Sequence, residues 1–174
     1  DGGTPSLVWG QWLGGTGIDT IYALALTGDE IYVGGYVVTS TSFEAVTFAG
    51  AHNGTTEGFV VEIGDGGTPT LAWGQWMGGG QTPITVINAM ALNDTNEIYA
   101  GGYATTSTSF ETVTFAGSFT VGDTEAFIVE IATGATPSLV WGHWLGGGLV
   151  DVISAIAVTG DEIYAGGYST QSTG

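Results

Sequence analysis

Apolar residues alternate with small or polar residues along most of the chain, in short runs that glycine-rich turns separate. The first cycle has four such runs: TIYALALT (20–27), EIYVGGYVV (30–38), GFVVEIG (58–64) and LAWGQWMGG (71–79). Each run has the two-residue period of a β-strand, and no stretch keeps a helical period long enough for a helix. Gly28-Asp29 is typical of a two-residue hairpin turn, and VTFAG (46–50) predicts a short extra strand or an ordered loop. The chain is therefore predicted to be all-β.

The runs belong to an internal repeat. DGGTPSLVWGQWLGG at residue 1 recurs as DGGTPTLAWGQWMGG at 65 and as TGATPSLVWGHWLGG at 133. DEIYVGGYVVTSTSFEAVTFAG at 29 recurs as NEIYAGGYATTSTSFETVTFAG at 96 and begins again at 161. We divide residues 1–174 into a single array, with repeat 1 at 1–64, repeat 2 at 65–132 and a partial repeat 3 at 133–174. Four antiparallel strands in each of about two and two-thirds repeats predict β-propeller-type blades.

The repeat resembles the SBBP-type β-propeller repeats of bacterial and archaeal proteins. The similarity lies in GFVVEIGDGGTPTLAWGQWMGG, in WLGGTGIDTIYALALTGDEIYVGGY and in VTFAG before the next glycine-rich turn, and it covers nearly the whole chain. The resemblance implies a propeller fold and a secreted or cell-surface location, and it implies no single activity. The family commonly has a lysine near the positions of Glu62 and Glu130, and a closed propeller needs more blades than this chain contains.

The charge is strongly one-sided, because 17 acidic residues and no lysine or arginine give a formal net charge of −17. Many of these carboxylates repel one another, since a chain of this length has a radius of gyration of about 16 Å and the Debye length in physiological salt is about 8 Å. Bound cations or a basic partner would relieve the repulsion. Nucleic acid is excluded as a partner because phosphate contacts need lysine and arginine, and no apolar run is long enough for a membrane span.

Each repeat has a pair of tryptophans spaced three residues apart. The pairs are Trp9 with Trp12, Trp73 with Trp76, and Trp141 with Trp144. In a strand this spacing puts the two rings on opposite faces, whereas a flat sugar-binding platform needs both rings on one face. The spacing favours packing between blades over contact with a ligand, which is the alternative.

Acidic residues recur at equivalent turns and strand entries. They are Asp29 with Glu30, Asp94 with Glu97, and Asp161 with Glu162 at the hairpin turns, and Asp19 and Asp151 at the strand entries. Calcium takes six to eight oxygen ligands from such groups. These residues are therefore calcium candidates, although no Asp-x-Asp-x-Asp loop is present and a solvated acidic turn is the simpler interpretation.

Other candidate chemistry is sparse. His52 and His143 have no nucleophile or acid at a spacing that indicates a triad, so the chain is not expected to be an enzyme and no cofactor is expected apart from calcium. The sequons at Asn53 and Asn93 suit glycosylation and an extracellular or cell-surface location.

The ends of the array suggest a function. Residues 5–15 are predicted to be the last strand of a blade, and residues 151–170 the first two strands of another. Open strand edges are templates for pairing between molecules, and head-to-tail contacts generate filaments or rings. We therefore expect an extracellular structural protein whose copies join end to end into a filament or surface layer. The alternative is a carbohydrate- or protein-binding propeller, for which Phe43 and Phe110 are the repeated loop aromatics.

Overall fold

The computed structural model describes residues 7–28, 30–44, 46–64, 67–78, 84–106, 110–111 and 113–170. Those residues contain strands and no helix, and hence no helix that could cross a membrane. The strands are β1 (Ile18–Thr27), β2 (Glu30–Val38), β3 (Phe48–Ala49), β4 (Thr56–Gly64), β5 (Thr70–Met77), β6 (Ile84–Leu92), β7 (Ile98–Thr105), β8 (Phe115–Ala116), β9 (Thr124–Ala132), β10 (Ser138–Leu145), β11 (Asp151–Thr159) and β12 (Glu162–Ser169). The prediction of an all-β chain is confirmed, and of the two alternatives for residues 46–50, a short strand or an ordered loop, the structure has the short strand β3.

The strands form two meanders and a hairpin. In the first meander β1, β2, β4 and β5 are antiparallel neighbours, and β3 pairs in parallel with β5. The second meander repeats this with β6, β7, β9 and β10, and β8 pairs with β10. One parallel pair, Thr56 with Ile84, joins the meanders into a ten-stranded mixed sheet, and β11 and β12 form a separate two-stranded sheet. Because the ten-stranded sheet is open, the arrangement as propeller blades stays a prediction.

The first strand of each unit carries a β-bulge at the same place. The register shifts at Tyr22 in β1, at Asn88 in β6 and at Ser154 in β11. A bulge adds one unpaired residue and increases the local twist of the strand. The three units therefore share the position of the β-bulge as well as their sequence pattern.

Alternation along the central strands supplies two apolar faces. In β4, Phe59, Val61 and Ile63 belong to a core cluster on the outer face of the first meander. Val60 belongs to the larger cluster between the two meanders, which also contains Ile87. A third cluster lies between the second meander and the hairpin. A sheet that buries both faces needs apolar residues at successive positions, which accounts for the near-continuous apolar runs in β4 and β9.

The N-terminal segment differs from its prediction. Residues 7–15, the described part of the strand predicted at 5–15, form no strand. Their equivalents β5 and β10 pair with β4 and β9, and no described strand lies beside residues 7–15 in the corresponding place. A strand needs such a neighbour because its backbone groups require hydrogen-bond partners. The first two strands predicted within 151–170 are β11 and β12.

Candidate functional site

Successive units meet through one repeated apolar contact. A Cβ built on Gly34 in β2 would lie 2.7 Å from Met90 Sδ and 2.9 Å from Ile87 Cγ2, both in β6. The same contact recurs one unit later, where a Cβ on Gly101 in β7 would lie 2.5 Å from Ile156 Cδ1 in β11. Real Cβ atoms essentially never come closer than 3.0 Å to such atoms. Glycine therefore leaves the space that receives the side chains of the next unit.

Polar contacts accompany this apolar contact. Asn88 Nδ2, on the bulge of β6, donates a hydrogen bond of 2.9 Å to the carbonyl oxygen of Ile153 in β11. Thr27 Oγ1 lies 2.9 Å from Asn96 Oδ1 in the second meander. Gln75 Nε2 donates to Glu111 Oε1, which again joins the first meander to the second. The units are thus held in a fixed register by side chains as well as by apolar packing.

Both halves of the repeated contact are exposed at the two ends of the array. Ile21 and Leu24 in β1, the equivalents of Ile87 and Met90, are 46% and 56% exposed. Gly166 in β12 is the equivalent of Gly34, and a Cβ built there would have no described atom within 4 Å. Within the described residues, Ile21 and Leu24 thus form an uncovered apolar projection and Gly166 an unfilled recess. Each is of the kind through which successive units contact each other.

Two of the tryptophan pairs lie in the sheets as their spacing predicts. Trp73 and Trp76 are 4% and 3% exposed and belong to different core clusters, on opposite faces of β5. Trp144 is 3% exposed and lies in the cluster between the meanders, while the half-buried Trp141 packs on the cluster next to the hairpin. In each case the ring lies among the side chains of its own or a neighbouring unit.

The first tryptophan pair lies elsewhere. Trp12 is 92% exposed and Trp9 is half-buried. Trp76, the equivalent of Trp12, stacks on Phe48 with ring centroids 4.1 Å apart. No described ring of that kind lies beside Trp12, so Trp12 does not pack against a neighbouring strand as predicted. Gln11 nevertheless donates a 2.7 Å hydrogen bond to Glu44, as Gln75 does to Glu111.

The acidic residues singled out from the sequence are dispersed. Glu30 and Glu162 accept hydrogen bonds of 2.8 and 2.6 Å from the hydroxyls of Tyr32 and Tyr164. Asp19 and Asp151 accept backbone hydrogen bonds from Gly15 and Gly147, at 3.0 and 3.1 Å. Asp94, Glu97 and Asp161 line one groove, and Asp29 lies outside the described residues. In the part of the chain that the structure describes, no three His, Cys, Asp or Glu side chains form a group that could hold a metal ion.

An acidic groove recurs at each junction between units. A cavity of about 590 Å³ is lined by Glu30, Tyr32, Glu62 and Trp73, and its counterpart of about 510 Å³ by Glu97, Tyr99, Glu130 and Trp141. Burial, and then the neighbouring Glu30 carboxylate, raise the pKa of Glu62 above its ordinary value. Burial likewise raises the pKa of Tyr32. The sequence singled out Glu62 and Glu130 only as the positions of a family lysine, and the structure pairs them with Glu30 and Glu97.

A second concave surface follows the bulges. Tyr22, Asn88 and Ser154, the three bulge residues, line a groove of about 420 Å³ together with Tyr103 and Tyr168. Burial raises the pKa of Tyr103, with smaller contributions from the neighbouring tyrosines. The groove therefore combines aromatic rings with amide and hydroxyl groups. Sequence reasoning missed it because a β-bulge disrupts the regular alternation of faces along a strand, and the sequence does not show where a bulge lies.

Two glutamates that the sequence did not single out are fully buried. Glu57 and Glu125, at the starts of β4 and β9, have 0% exposure. Glu57 Oε2 accepts hydrogen bonds from the backbone nitrogens of Asn53 and Gly54, at 2.8 and 2.9 Å. Glu125 Oε1 accepts one from Thr120, at 3.3 Å. The matching segments TEGFVVEI and TEAFIVEI were the available signal, since they repeat an acidic residue directly before an apolar run.

The histidines lie in different units. His52 Nδ1 is 3.8 Å from Glu57 Oε2, and its ring meets Trp76 edge to face at 4.8 Å. His143 Nδ1 is 2.7 Å from the carbonyl oxygen of Trp144. The structure does not bring these two side chains into one site.

The sequon residues and the loop phenylalanines differ in exposure. Asn53 is exposed, whereas Asn93 Nδ2, the atom that would carry a glycan, donates a 2.6 Å hydrogen bond to Glu97 within its turn. Phe43 and Phe110 are both 0% exposed, so neither ring faces a surface ligand.

Comparison with known proteins adds no assignment, because no protein-family model matches the chain and no curated protein sequence matches it.

Proposed function

We propose that the units are β-propeller-type blades and that copies of the chain join head to tail into an extracellular filament or surface layer. The observation that carries this proposal is the exposed pair formed by Leu24 at one end and Gly166 at the other. The equivalent residues, Met90 with Gly34 and Ile156 with Gly101, are in contact inside the chain. A second copy can therefore make a contact of a kind that each molecule already makes twice.

The backbone supports the same proposal. β12 pairs with β11 along one edge, whereas its equivalents β2 and β7 pair with a strand on both sides. No described strand covers the other edge of β12. An open edge offers backbone donors and acceptors to a further strand, and no lysine is present to block it. A second copy could cover this edge and the recess at Gly166 together.

Charge sets the conditions for assembly. Each copy carries a formal charge of −17, so two copies repel each other at low ionic strength. The exposed residues that would meet, Ile21, Leu24 and Gly166, are uncharged. We therefore expect assembly to increase with salt or with divalent cations, which screen the carboxylates without weakening an apolar contact.

The test is negative-stain electron microscopy with sedimentation velocity on the purified chain, with calcium and then with a chelator. Wild-type protein should form filaments or rings, and Gly166→Val should remain monomeric because the recess is filled. Val121→Ser is the matched control, since it removes an exposed apolar side chain from another surface and should leave assembly intact. A wild-type monomer whose mass is unchanged by concentration and salt would refute the proposal.

A second candidate function, carbohydrate binding, is favoured by the groove at Tyr22, Asn88, Tyr103, Ser154 and Tyr168. Aromatic faces beside amide and hydroxyl groups suit a ligand that has both apolar and hydroxyl surfaces. A glycan array probed with wild-type protein and with Tyr103→Ala tests this candidate. Binding that Tyr103→Ala abolishes would support it, and an array without binding would remove it.

A further inference from the structure

Two buried carboxylates from successive units lie beside the same glycine, Gly146. Glu125, at the start of β9, is 0% exposed, and Asp151, at the start of β11, is 5% exposed. A Cβ built on Gly146 would overlap Glu125 Oε2 and would lie 2.6 Å from Asp151 Oδ2. The two oxygens therefore crowd the same small space. The chain has no lysine or arginine that could neutralise the pair.

One of these oxygens is also without a partner. Glu125 Oε2 is buried and makes no hydrogen bond within the described structure. Buried polar atoms are almost always paired, and an unpaired carboxylate oxygen beside a second carboxylate is especially unfavourable. This second observation indicates that a positively charged species belongs between the two groups.

The equivalent place in the preceding junction shows the same feature. Glu57 Oε1 and Thr85 Oγ1 are both buried without a described hydrogen-bond partner. A Cβ built on Gly78, the equivalent of Gly146, would overlap Glu57 Oε1. Thr85 stands where the next unit has Asp151. The first junction thus has one carboxylate and a hydroxyl, whereas the second has two carboxylates.

We propose that Glu125 and Asp151 bind a calcium ion at the junction between the second meander and the β11–β12 hairpin. The donors are hard oxygen atoms, and two carboxylates balance the charge of a divalent cation. A cavity of about 240 Å³, which Asp151 lines, has room for water ligands beside that carboxylate. Calcium suits the site better than magnesium, because calcium accepts irregular oxygen geometry and sheds its waters more readily.

This proposal does not depend on self-association, because both carboxylates belong to one chain. It also differs from the calcium prediction made from the turns, since it pairs Asp151 with a glutamate that the sequence did not single out. Glu30, Asp94, Glu97, Asp161 and Glu162 take no part in the site.

The test is isothermal titration with calcium chloride in about 150 mM KCl, which suppresses diffuse binding to the acidic surface. The Leu24→Asp background keeps the protein monomeric without changing a residue that lines this cavity, so that failure of this proposal and failure of the assembly proposal are distinguishable. The parent chain should bind one calcium ion saturably. Asp151→Thr, which installs the residue found at position 85, should abolish that binding, and Asp161→Ser, an exposed turn residue, should leave it unchanged.

Thr85→Asp provides the complementary test, because it converts the first junction to the composition of the second. The stoichiometry should rise from one ion to two. This variant also keeps the proposal falsifiable if Asp151→Thr fails to fold. The proposal is overturned if the parent shows no saturable binding, or if Asp151→Thr binds as the parent does.

Discussion

The repeated contact between units makes a sharp prediction about one substitution at two equivalent positions. In Gly34→Val the new Cβ would lie 2.7 Å from Met90 Sδ and 2.9 Å from Ile87 Cγ2. Ile87 is fully buried and Met90 is 8% exposed, so neither side chain can move into solvent. Overpacking of this kind costs about 1–3 kcal/mol. We therefore expect the free energy of unfolding to fall by that amount.

The same substitution at Gly166 should not lower the free energy of unfolding. A Cβ there has no described atom within 4 Å, and the residue lies in β12. Replacing glycine within a strand removes an entropic cost of about 0.5–1 kcal/mol. Gly166→Val should therefore be neutral or slightly stabilising for the monomer.

Urea unfolding followed by tryptophan fluorescence, at a concentration at which the chain is monomeric, measures both variants. Their free energies of unfolding should differ by at least about 1 kcal/mol, because the gain from replacing a strand glycine is common to both variants and only Gly34→Val is overpacked. Equal effects would show that β6 does not press on Gly34 and would remove the structural basis of the proposed assembly contact. A loss of stability in Gly166→Val alone would contradict the description of its face as open.

Three further predictions concern charge, packing and association. Burial and the Glu30 carboxylate raise the pKa of Glu62, so protonated Glu62 stabilises the folded state in acid, and this stabilisation is lost as the pH rises through the raised pKa. Thermal melts should therefore show Glu62→Gln more stable than wild type near pH 7.5 and equal to it near pH 4. Equal stability at both pH values would refute the raised pKa. Phe110→Ala should cost about 3–5 kcal/mol in urea unfolding, because the ring is 0% exposed among aromatic neighbours; a cost below about 1 kcal/mol would contradict that burial. Leu24→Asp should abolish association in sedimentation velocity, while Val121→Asp, which adds the same charge elsewhere, should only weaken it; equal losses would assign the effect to net charge.

The sequence predicted the strands well because their signals are local. The two-residue period and the glycine turns located β1, β2, β4 and β5, and the three-residue spacing of Trp73 and Trp76 put their rings on opposite faces. Side-chain direction in a strand follows from position alone. These predictions needed no knowledge of the neighbouring unit.

The predictions about residues 7–15 and the acidic side chains depended on neighbours that the sequence does not display. Trp12 has nearly the same local sequence as Trp76, yet it is exposed because no described strand lies beside it. Glu57 and Glu125 were not singled out, and the structure buries both completely beside Gly78 and Gly146, which lie about twenty residues further along the chain. The burial of these side chains depends on contacts between residues far apart in the sequence, and the local pattern does not predict such contacts.

Disulfide trapping between two variants tests the proposed head-to-tail contact most directly. The chain contains no cysteine, so Leu24→Cys and Gly166→Cys each introduce a single thiol. A disulfide requires the two Cβ atoms to come within about 4.5 Å of each other. If copies join as proposed, an oxidised mixture of the two variants should yield the mixed disulfide dimer as the main product, and neither variant alone should dimerise efficiently. A mixture that yields no dimer, or only the two symmetric dimers, would contradict the head-to-tail contact.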